Sequence, residues 1–198
     1  MTQRILKGLL TAVAALSLAA CTEDPNWNAK DVSGLMPDLQ FELARAPSGD
    51  TVTAADYAGK VKLVFFGFTY CRDVCPATMA KLGRALSAMP EDAADDVRVL
   101  FVSVDPERDT LQRLTDYTSG FGEHFVGLRG EIDYLRDLTK RYRTTFSYGE
   151  PNEDGHYMVS HSSAVFIFDR SGKLRLLAKP DQSINGLAAD LERLVESG

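Results

Sequence analysis

Positive charge is scarce in this sequence. The 198 residues include 22 lysines and arginines against 28 aspartates and glutamates, so the formal net charge is −6 at pH 7. No basic patch with interleaved aromatic residues is present, and neither is an internal repeat or a low-complexity tract. Because phosphate backbones attract lysine and arginine, an acidic chain of this kind is not expected to bind nucleic acid. Its length suits one domain with a real core.

A long hydrophobic run is also lacking. Leu9 to Ala20 is apolar for about a dozen residues, too short to span a bilayer comfortably. The run follows Arg4 and Lys7 and ends in Leu18-Ala19-Ala20-Cys21, which resembles a bacterial lipobox. We therefore predict a lipoprotein signal peptide at 1–20, a lipid on Cys21, and a location on the periplasmic side of a bacterial membrane. An ordinary signal peptide with an incidental cysteine is the alternative.

The stretch that follows the predicted lipid site lacks periodicity. Residues 21–37 are mostly polar and contain Pro25, Gly34 and Pro37, which predicts a tether. Residues 38–198 form the predicted domain.

Within that domain, strand and helix patterns alternate. The predicted strands are Leu39–Leu43, Val61–Phe68, Val97–Val104, Ser163–Asp169 and Leu174–Ala178, the last two joined by a hairpin turn. The predicted helices are one from Pro76 to Met89, one ending at Tyr117, one at Glu131–Tyr142 and one at Gly186–Glu196. Crossovers followed by a hairpin and a closing helix predict an α/β, thioredoxin-like fold: a central mixed sheet flanked by helices.

Two of the three cysteines follow the Val61–Phe68 strand. Three residues separate Cys71 from Cys75, whereas the usual redox motif has two, so the sulfurs could flank an ion as well as bond each other. A helix beginning at Pro76 would place Cys75 at its N-cap and Cys71 in the preceding loop. The positive helix end would then favour thiolates. With Cys71 off the helix, a reversible disulfide between the two is expected when no metal is bound.

Two thiolates are too few to hold a metal tightly, so a histidine is needed. In a thioredoxin fold the loop before the late hairpin faces the cysteines and normally carries a cis-proline. Here that loop has no proline and carries His161, which we predict to be the third ligand. We expect His124 to be a surface or hydrogen-bonded residue rather than a ligand. His156 with His161 could complete a Cys₂His₂ zinc site, but the spacing is far from that of a zinc finger. Two thiolates and an imidazole suit Cu(I) and can also hold Cu(II).

Three motifs in this order resemble the Sco/SenC family. They are Gly67-Phe68-Thr69-x-Cys71-x-Asp73-Val74-Cys75-Pro76, Val102-Ser103-Val104-Asp105-Pro106-Glu107-Arg108-Asp109-Thr110, and His161-Ser162 before a strand. The resemblance implies a membrane-anchored protein that binds one copper through Cys71, Cys75 and His161. It also implies a role in building the binuclear copper centre of cytochrome c oxidase, as copper donor or thiol reductant. The partner would be the copper-bearing subunit of the oxidase or another copper carrier. The family often has proline where this chain has Arg72.

An enzyme is the alternative: a thiol–disulfide oxidoreductase or a peroxidase-like protein that uses Cys71 and Cys75. Such an enzyme needs no imidazole beside the sulfurs, whereas a copper site does, so His161 favours the carrier. In the second motif, Asp109 or Thr110 is expected to cap the following helix. Arg108 could pair with a neighbouring acid or face a partner. Asp73 is expected to be a solvent-facing acid or a helix cap.

Overall fold

The computed structural model describes residues 26–197, so the predicted signal peptide and Cys21 lie outside the described residues. Within this range the strands are β1 (Lys30–Asp31), β2 (Glu42–Arg45), β3 (Thr51–Thr53), β4 (Val61–Gly67), β5 (Val97–Ser103), β6 (Phe125–Arg129), β7 (Phe146–Tyr148), β8 (Val159–His161), β9 (Val165–Phe168) and β10 (Leu174–Ala178). The helices are α1 (Val74–Ser87), α2 (Glu91–Asp95), α3 (Leu111–Ser119), α4 (Ile132–Arg141) and α5 (Ile184–Glu196).

The centre of the molecule is a mixed sheet with the strand order β1-β10-β9-β4-β5-β6-β2-β3. Strands β4, β5 and β6 run parallel, as a sheet built from strand–helix–strand crossovers requires. The outer strands join antiparallel on both sides. Every residue of β4 is buried, which fits its almost continuous run of branched and aromatic residues. This arrangement is the predicted α/β architecture.

Helix α1 covers part of this sheet with the residues that its periodicity predicted. Met79, Leu82 and Leu86 are buried, so the two-turn repeat of apolar side chains is core filling. Helix α5 packs against α1, and α3 packs against β6. The loops that carry the site follow the carboxyl ends of β4 and β5. Because these two strands are parallel neighbours, both loops lie at the same edge of the sheet.

The predicted tether is partly structured, which corrects the boundary at residue 38. Strand β1 pairs with β10, and Ala29 and Val32 on either side of it are buried. The buried carboxylate of Asp190 on α5 accepts the backbone N–H groups of Asn28 and Ala29. A two-residue strand is too short to produce a readable alternation, so the sequence pattern did not reveal it.

Other elements differ from the sequence prediction by a few residues or were missed. The early strand lies at β2, Glu42–Arg45, rather than at Leu39–Leu43. Strand β6 and the short helix α2 were not predicted. A second, two-stranded sheet, made by β7 and β8, was also missed, and it carries His161. Among residues 26–197, no helix combines the length and apolar character needed to cross a membrane.

Candidate metal centre

The cysteines lie on either side of the start of α1. The helix begins at Val74 with Asp73 as its N-cap residue, so Cys75 is inside the first turn and not at the cap as predicted. The first N–H groups of a helix have no intrahelical partner, so Pro76 fits within this turn as well as at its start. Asp73 is exposed, and its side chain makes no capping hydrogen bond. Cys71 lies in the preceding loop, where its N–H donates to the Phe68 carbonyl over 3.2 Å.

His161 is the last residue of β8 and turns one ring nitrogen toward the cysteines. Its Nε2 is 3.4 Å from Cys75 Sγ, and its Nδ1 is 2.9 Å from the Ser162 carbonyl oxygen. Because a carbonyl can only accept, Nδ1 carries the hydrogen, and Nε2 is left as the nitrogen with a free lone pair. The ring also packs edge-on against Phe65 and Phe68. Its orientation is therefore fixed by a hydrogen bond and two aromatic neighbours.

Together the three residues form one group of soft and borderline donors. The ligand atoms of Cys71, Cys75 and His161 all lie within 4.8 Å of one another. Two donors bound to one metal ion at about 2.0–2.3 Å lie roughly 3–4 Å apart, and the Cys75–His161 separation falls in that range. Cys75 is fully buried, while Cys71 and His161 are half-buried. The group thus has a closed inner side and an open outer side.

Burial determines the protonation states of Cys75 and His161. It raises the pKa of the Cys75 thiol far above its ordinary value, which for this sulfur corrects the prediction that the helix end favours the thiolate. Burial also lowers the pKa of His161, so the imidazole is neutral. In this state the Cys75 thiol can donate to Nε2 of His161. A bound cation would remove that thiol proton, because a thiol that coordinates a metal is deprotonated.

A glycine makes room for the inner sulfur. A Cβ atom at Gly67, the last residue of β4, would lie 2.7 Å from Phe101 Cε2 and 3.0 Å from Cys75 Sγ. Any larger residue would have to displace the Phe101 ring or the sulfur. Both cysteines are free thiols in the structure, and the Cys75 N–H donates to Cys71 Sγ over 3.3 Å.

Around the sulfurs, the second motif forms two buried carboxylate networks. Asp109 is fully buried and accepts from Thr69 N–H (3.0 Å), Thr69 Oγ1 (2.5 Å) and Ser103 Oγ (2.7 Å). Of the two predicted cap residues, Asp109 and Thr110, it is Thr110 that caps α3 by accepting from the Arg113 N–H. The network instead ties the loop before Cys71 to the end of β5.

Asp105 forms the second network and resolves the alternatives for Arg108. Asp105 is fully buried and accepts from Arg108 Nε (2.5 Å) and from the Tyr157 hydroxyl (2.7 Å). Arg108 therefore pairs with an acid of its own motif. The sequence did not indicate a role for Tyr157, because Tyr157 and Asp105 are 52 residues apart and form no local pattern.

The other two histidines lie elsewhere. His156 is exposed and does not join the group of potential ligands around Cys71. His124 lies near Asp95 and Glu123, but this cluster is largely exposed, and Arg98 Nη1 is 3.4 Å from His124 Nδ1. A cation that already faces the imidazole disfavours a metal there.

Comparisons with known proteins give one consistent result. The model of the SCO1/SenC family matches residues 37–196. A mitochondrial SCO1 homologue of Arabidopsis thaliana is 36% identical over 127 residues, which cover 64% of this chain and 37% of that protein. The structure of Bradyrhizobium japonicum ScoI with copper bound has a TM-score of 0.71 at 35% identity and covers 79% of this chain and 98% of that one.

A second structural neighbour lacks metal. The solution structure of apo Sco1 from Thermus thermophilus has a TM-score of 0.74 at 34% identity and covers 85% of this chain and 96% of that one. These neighbours confirm the thioredoxin-like fold predicted from the sequence. The chain spans less than half the length of several curated eukaryotic relatives that it matches, 37%, 48% and 45% for the plant, fission yeast and bovine proteins.

Proposed function

Since the chain belongs to the SCO1/SenC family, we propose that it is a copper-binding metallochaperone that serves the assembly of cytochrome c oxidase. It would carry one copper ion per chain, Cu(I) or Cu(II). It would deliver that ion to the binuclear copper centre of the oxidase or reduce the thiols of that centre. Family membership also confirms the resemblance inferred from the three sequence motifs.

One observation carries this proposal: the ligand atoms of Cys71, Cys75 and His161 converge within 4.8 Å of one another. Two sulfurs and one imidazole match the preference of copper for soft and borderline donors. The ligands come from two parts of the chain, the start of α1 with the loop before it and the end of β8, and Gly67 leaves space for the inner sulfur. That Bradyrhizobium japonicum ScoI and yeast Sco1 have been seen with copper bound supports the choice of metal.

Metal analysis of the reduced protein tests the proposal. We expect one equivalent of copper per chain for the parent, and none held tightly by the Cys71→Ser/Cys75→Ser double variant. Cu(II)–thiolate charge-transfer absorption reports directly on whether the sulfurs are ligands. A parent that retains no copper after dialysis, while it reduces disulfides with multiple turnovers, would overturn the carrier in favour of an enzyme.

The second candidate function is thiol–disulfide exchange with a partner. Both cysteines are free, and Cys71 is the more accessible of the two. In such a step the two thiols lose two electrons and two protons and become a disulfide, while a disulfide of the partner becomes two thiols. The raised pKa of Cys75 leaves Cys71 as the better attacking sulfur. Thiol labelling after mild oxidation of the metal-free protein checks the expected Cys71–Cys75 disulfide, and two freely reactive thiols would contradict it.

The place of action would be the periplasmic side of a bacterial membrane. The lipobox-like ending Leu18-Ala19-Ala20-Cys21 supports a lipid on Cys21, which would hold the domain at the membrane. Expression of the full chain with Cys21→Ala checks this. We expect the variant to leave the membrane fraction after a salt wash, and its retention there would count against the lipid anchor.

The docking surface for the oxidase subunit would surround the open side of the copper site. Six large apolar side chains are exposed within residues 26–197, and three of them belong to the ligand-bearing segments: Tyr70, Val74 and Met158. Tyr70 and Val74 directly precede the two cysteines. Ligand exchange requires the partner's own copper ligands to reach Cys71 and His161, and both of these residues open to this side. An apolar rim would exclude water during that exchange.

A further inference from the structure

His161 reaches the cysteines from a weakly supported part of the fold. It ends β8, which pairs only with β7 in a two-stranded sheet separate from the central one. Four of the six residues in these strands are at least partly exposed, and Phe146 and Val159 are the two buried ones. A two-stranded hairpin is marginally stable in water on its own. Other contacts must therefore fix the imidazole against the sulfurs.

Arg108 supplies these contacts through Tyr157, a hairpin residue, and through Asp105, which also binds Tyr157. The guanidinium centre lies 3.7 Å from the centroid of the Tyr157 ring, and Nη1 donates to the Tyr157 carbonyl oxygen over 3.1 Å. Nε donates to Asp105, whose other oxygen accepts from the Tyr157 hydroxyl. Tyr157 is thus held by its ring, its carbonyl and its hydroxyl, four positions before His161.

The same guanidinium also faces the cysteine segment. It lies 5.0 Å from the ring centroid of Tyr70, which directly precedes Cys71, and 5.8 Å from that of Phe68. Phe68 in turn packs edge-on against the His161 ring. Arg108 therefore lies between the two segments that carry the donor atoms. Its position is set by Asp105, which is fully buried at the end of β5.

We propose that Arg108 is a positioning residue that clamps the β7–β8 hairpin to the cysteine loop and so sets the place of His161 relative to the sulfurs. The inference rests on the proposed copper function, but it concerns the hairpin itself. The planar guanidinium is what the arrangement requires, because it stacks on a ring while it donates in two directions within its plane. A lysine keeps the positive charge beside Asp105, but it has no planar group to stack on Tyr157 and cannot donate in the same two fixed directions.

Arg108→Lys is the variant that tests the clamp without leaving Asp105 as an unpaired buried charge. Arg113→Lys is its matched control. Arg113 stacks on Tyr70 at 3.9 Å and donates to Thr69 Oγ1, so it contacts the cysteine segment but has no contact with Tyr157. Each substitution removes a guanidinium that lies over the Tyr70 ring. They differ in whether the hairpin loses its support.

The first measurement uses the metal-free protein and is independent of copper. Hydrogen exchange of the backbone amides from Tyr157 to His161 should be at least about tenfold faster in Arg108→Lys than in the parent, because local opening becomes easier. Exchange in Arg113→Lys should stay at the parental rate there. Equal exchange in all three proteins would overturn the clamp, whatever the protein binds.

The second measurement uses Cu(II) and reads the position of His161. Groups that orient a metal ligand typically contribute about 10–100-fold to affinity, so Arg108→Lys should weaken Cu(II) binding by that factor. It should also alter the thiolate charge-transfer band, and Cu(I) affinity should change less. Arg113→Lys should leave both properties unchanged. If the two variants weakened Cu(II) equally, Arg108 would act through general charge and the clamp would be refuted.

A third variant separates positioning from loss of fold. In a His161→Ala background the added Arg108→Lys should have no further effect on Cu(II) binding, because the residue acts through His161. Tyr157→Leu, which removes the stacked ring from the other side, should reproduce the exchange and Cu(II) effects of Arg108→Lys. Additive losses in the double variant, or a Tyr157→Leu protein with parental exchange and parental Cu(II) binding, would overturn the proposal. If the parent bound no copper, the proposed function would be overturned. The clamp would then be tested by the hydrogen-exchange measurement alone.

Discussion

The segment that carries the cysteines and the hairpin that carries the histidine are built in different ways. Strand β4 lies in the middle of the sheet, paired on both sides with β5 and β9, and all of its residues are buried. Strand β8 pairs with one short strand outside that sheet, and it is held by Tyr148, Tyr157 and Arg108. The sulfurs are therefore positioned by the hydrophobic core, whereas the imidazole is positioned by a few polar and aromatic contacts.

If the site binds copper as proposed, this difference should give Cu(I) and Cu(II) different dependences on the two segments. Thiolates are the soft ligands that Cu(I) prefers, and imidazole suits Cu(II). A site whose sulfurs pack against the hydrophobic core, and whose imidazole sits on a lightly held hairpin, should retain Cu(I) while it gains or loses its nitrogen ligand. Changes to the core should then affect both oxidation states. Changes to the hairpin should affect Cu(II) more.

Removal of the imidazole should give the largest difference between the effects on Cu(I) affinity and on Cu(II) affinity. For His161→Ala we expect Cu(II) affinity to fall by more than about 100-fold, the upper limit for groups that only orient a ligand. Cu(I) should remain bound, more weakly, by the two thiolates, and oxidation of the cysteine pair should barely change. Competitive titration with each copper ion measures both affinities. Parental Cu(II) binding by this variant would require another nitrogen ligand, with His156 the next candidate.

On the cysteine side, filling the space at Gly67 should disturb the core and both copper states together. A Cβ there meets Phe101 and Cys75 Sγ, and such overpacking costs about 1–3 kcal/mol. Gly67→Ala should thus lower the denaturation midpoint and weaken Cu(I) and Cu(II) alike. Gly83→Ala in α1 is the control, because its Cβ would meet nothing closer than 3.5 Å. It should stabilise the helix by about 0.5–1 kcal/mol and leave copper binding unchanged. Equal behaviour of the two variants would refute the steric argument.

A smaller effect on stability is expected from the hydrogen bond that attaches β7 to the loop after β5. The Tyr148 hydroxyl donates to the Val104 carbonyl over 2.6 Å, and burial raises the pKa of Tyr148 to about 12, so the donor keeps its hydrogen at neutral pH. Tyr148→Phe should cost about 0.5–1.5 kcal/mol, seen mainly as faster amide exchange in the hairpin. Tyr134→Phe on α4, whose hydroxyl accepts only the exposed Glu42 N–H, should leave hairpin exchange unchanged. Parental amide exchange in the copper-free Tyr148→Phe protein would show that the bond does not hold the hairpin.

The same contrast explains what could be predicted from the sequence. The buried strand, the spacing of Cys71 and Cys75 and the following helix are local patterns, so they were predicted to within two residues. The candidate position of His161 came from the expected fold and from the missing proline. The hairpin that supports it was missed, since β7 and β8 are three residues each and carry no readable alternation.

The networks around the site were missed for a related reason. Asp109 has a sequence signature typical of a helix cap, and only the fold shows that it faces Thr69, 40 residues away. The same holds for Asp105 and Tyr157. Burial also reversed the expected charge of Cys75, because desolvation outweighs the helix end at a fully buried sulfur. Long-range contacts and burial are the two properties that local patterns do not encode.

The smallest change to the protein itself should occur at Met158, in the hairpin's exposed loop. Its side chain is 76% exposed, so Met158→Ser should alter stability by no more than about 0.5 kcal/mol. Copper affinity should be parental, since the residue contacts none of the donor atoms. If the apolar rim docks the oxidase subunit, however, copper transfer to that subunit should slow, because the variant replaces apolar contact with a polar group.

Leu35 provides the control for that measurement. It is 54% exposed and lies next to β1, outside the ligand-bearing segments. Leu35→Ser removes a comparable exposed apolar side chain, so it should transfer copper at the parental rate. Stopped-flow transfer from each loaded variant to the isolated copper-binding domain of the subunit gives the comparison. A slower rate for Met158→Ser alone would mark the hairpin as a contact surface as well as a ligand support. Equal rates would limit its role to holding His161.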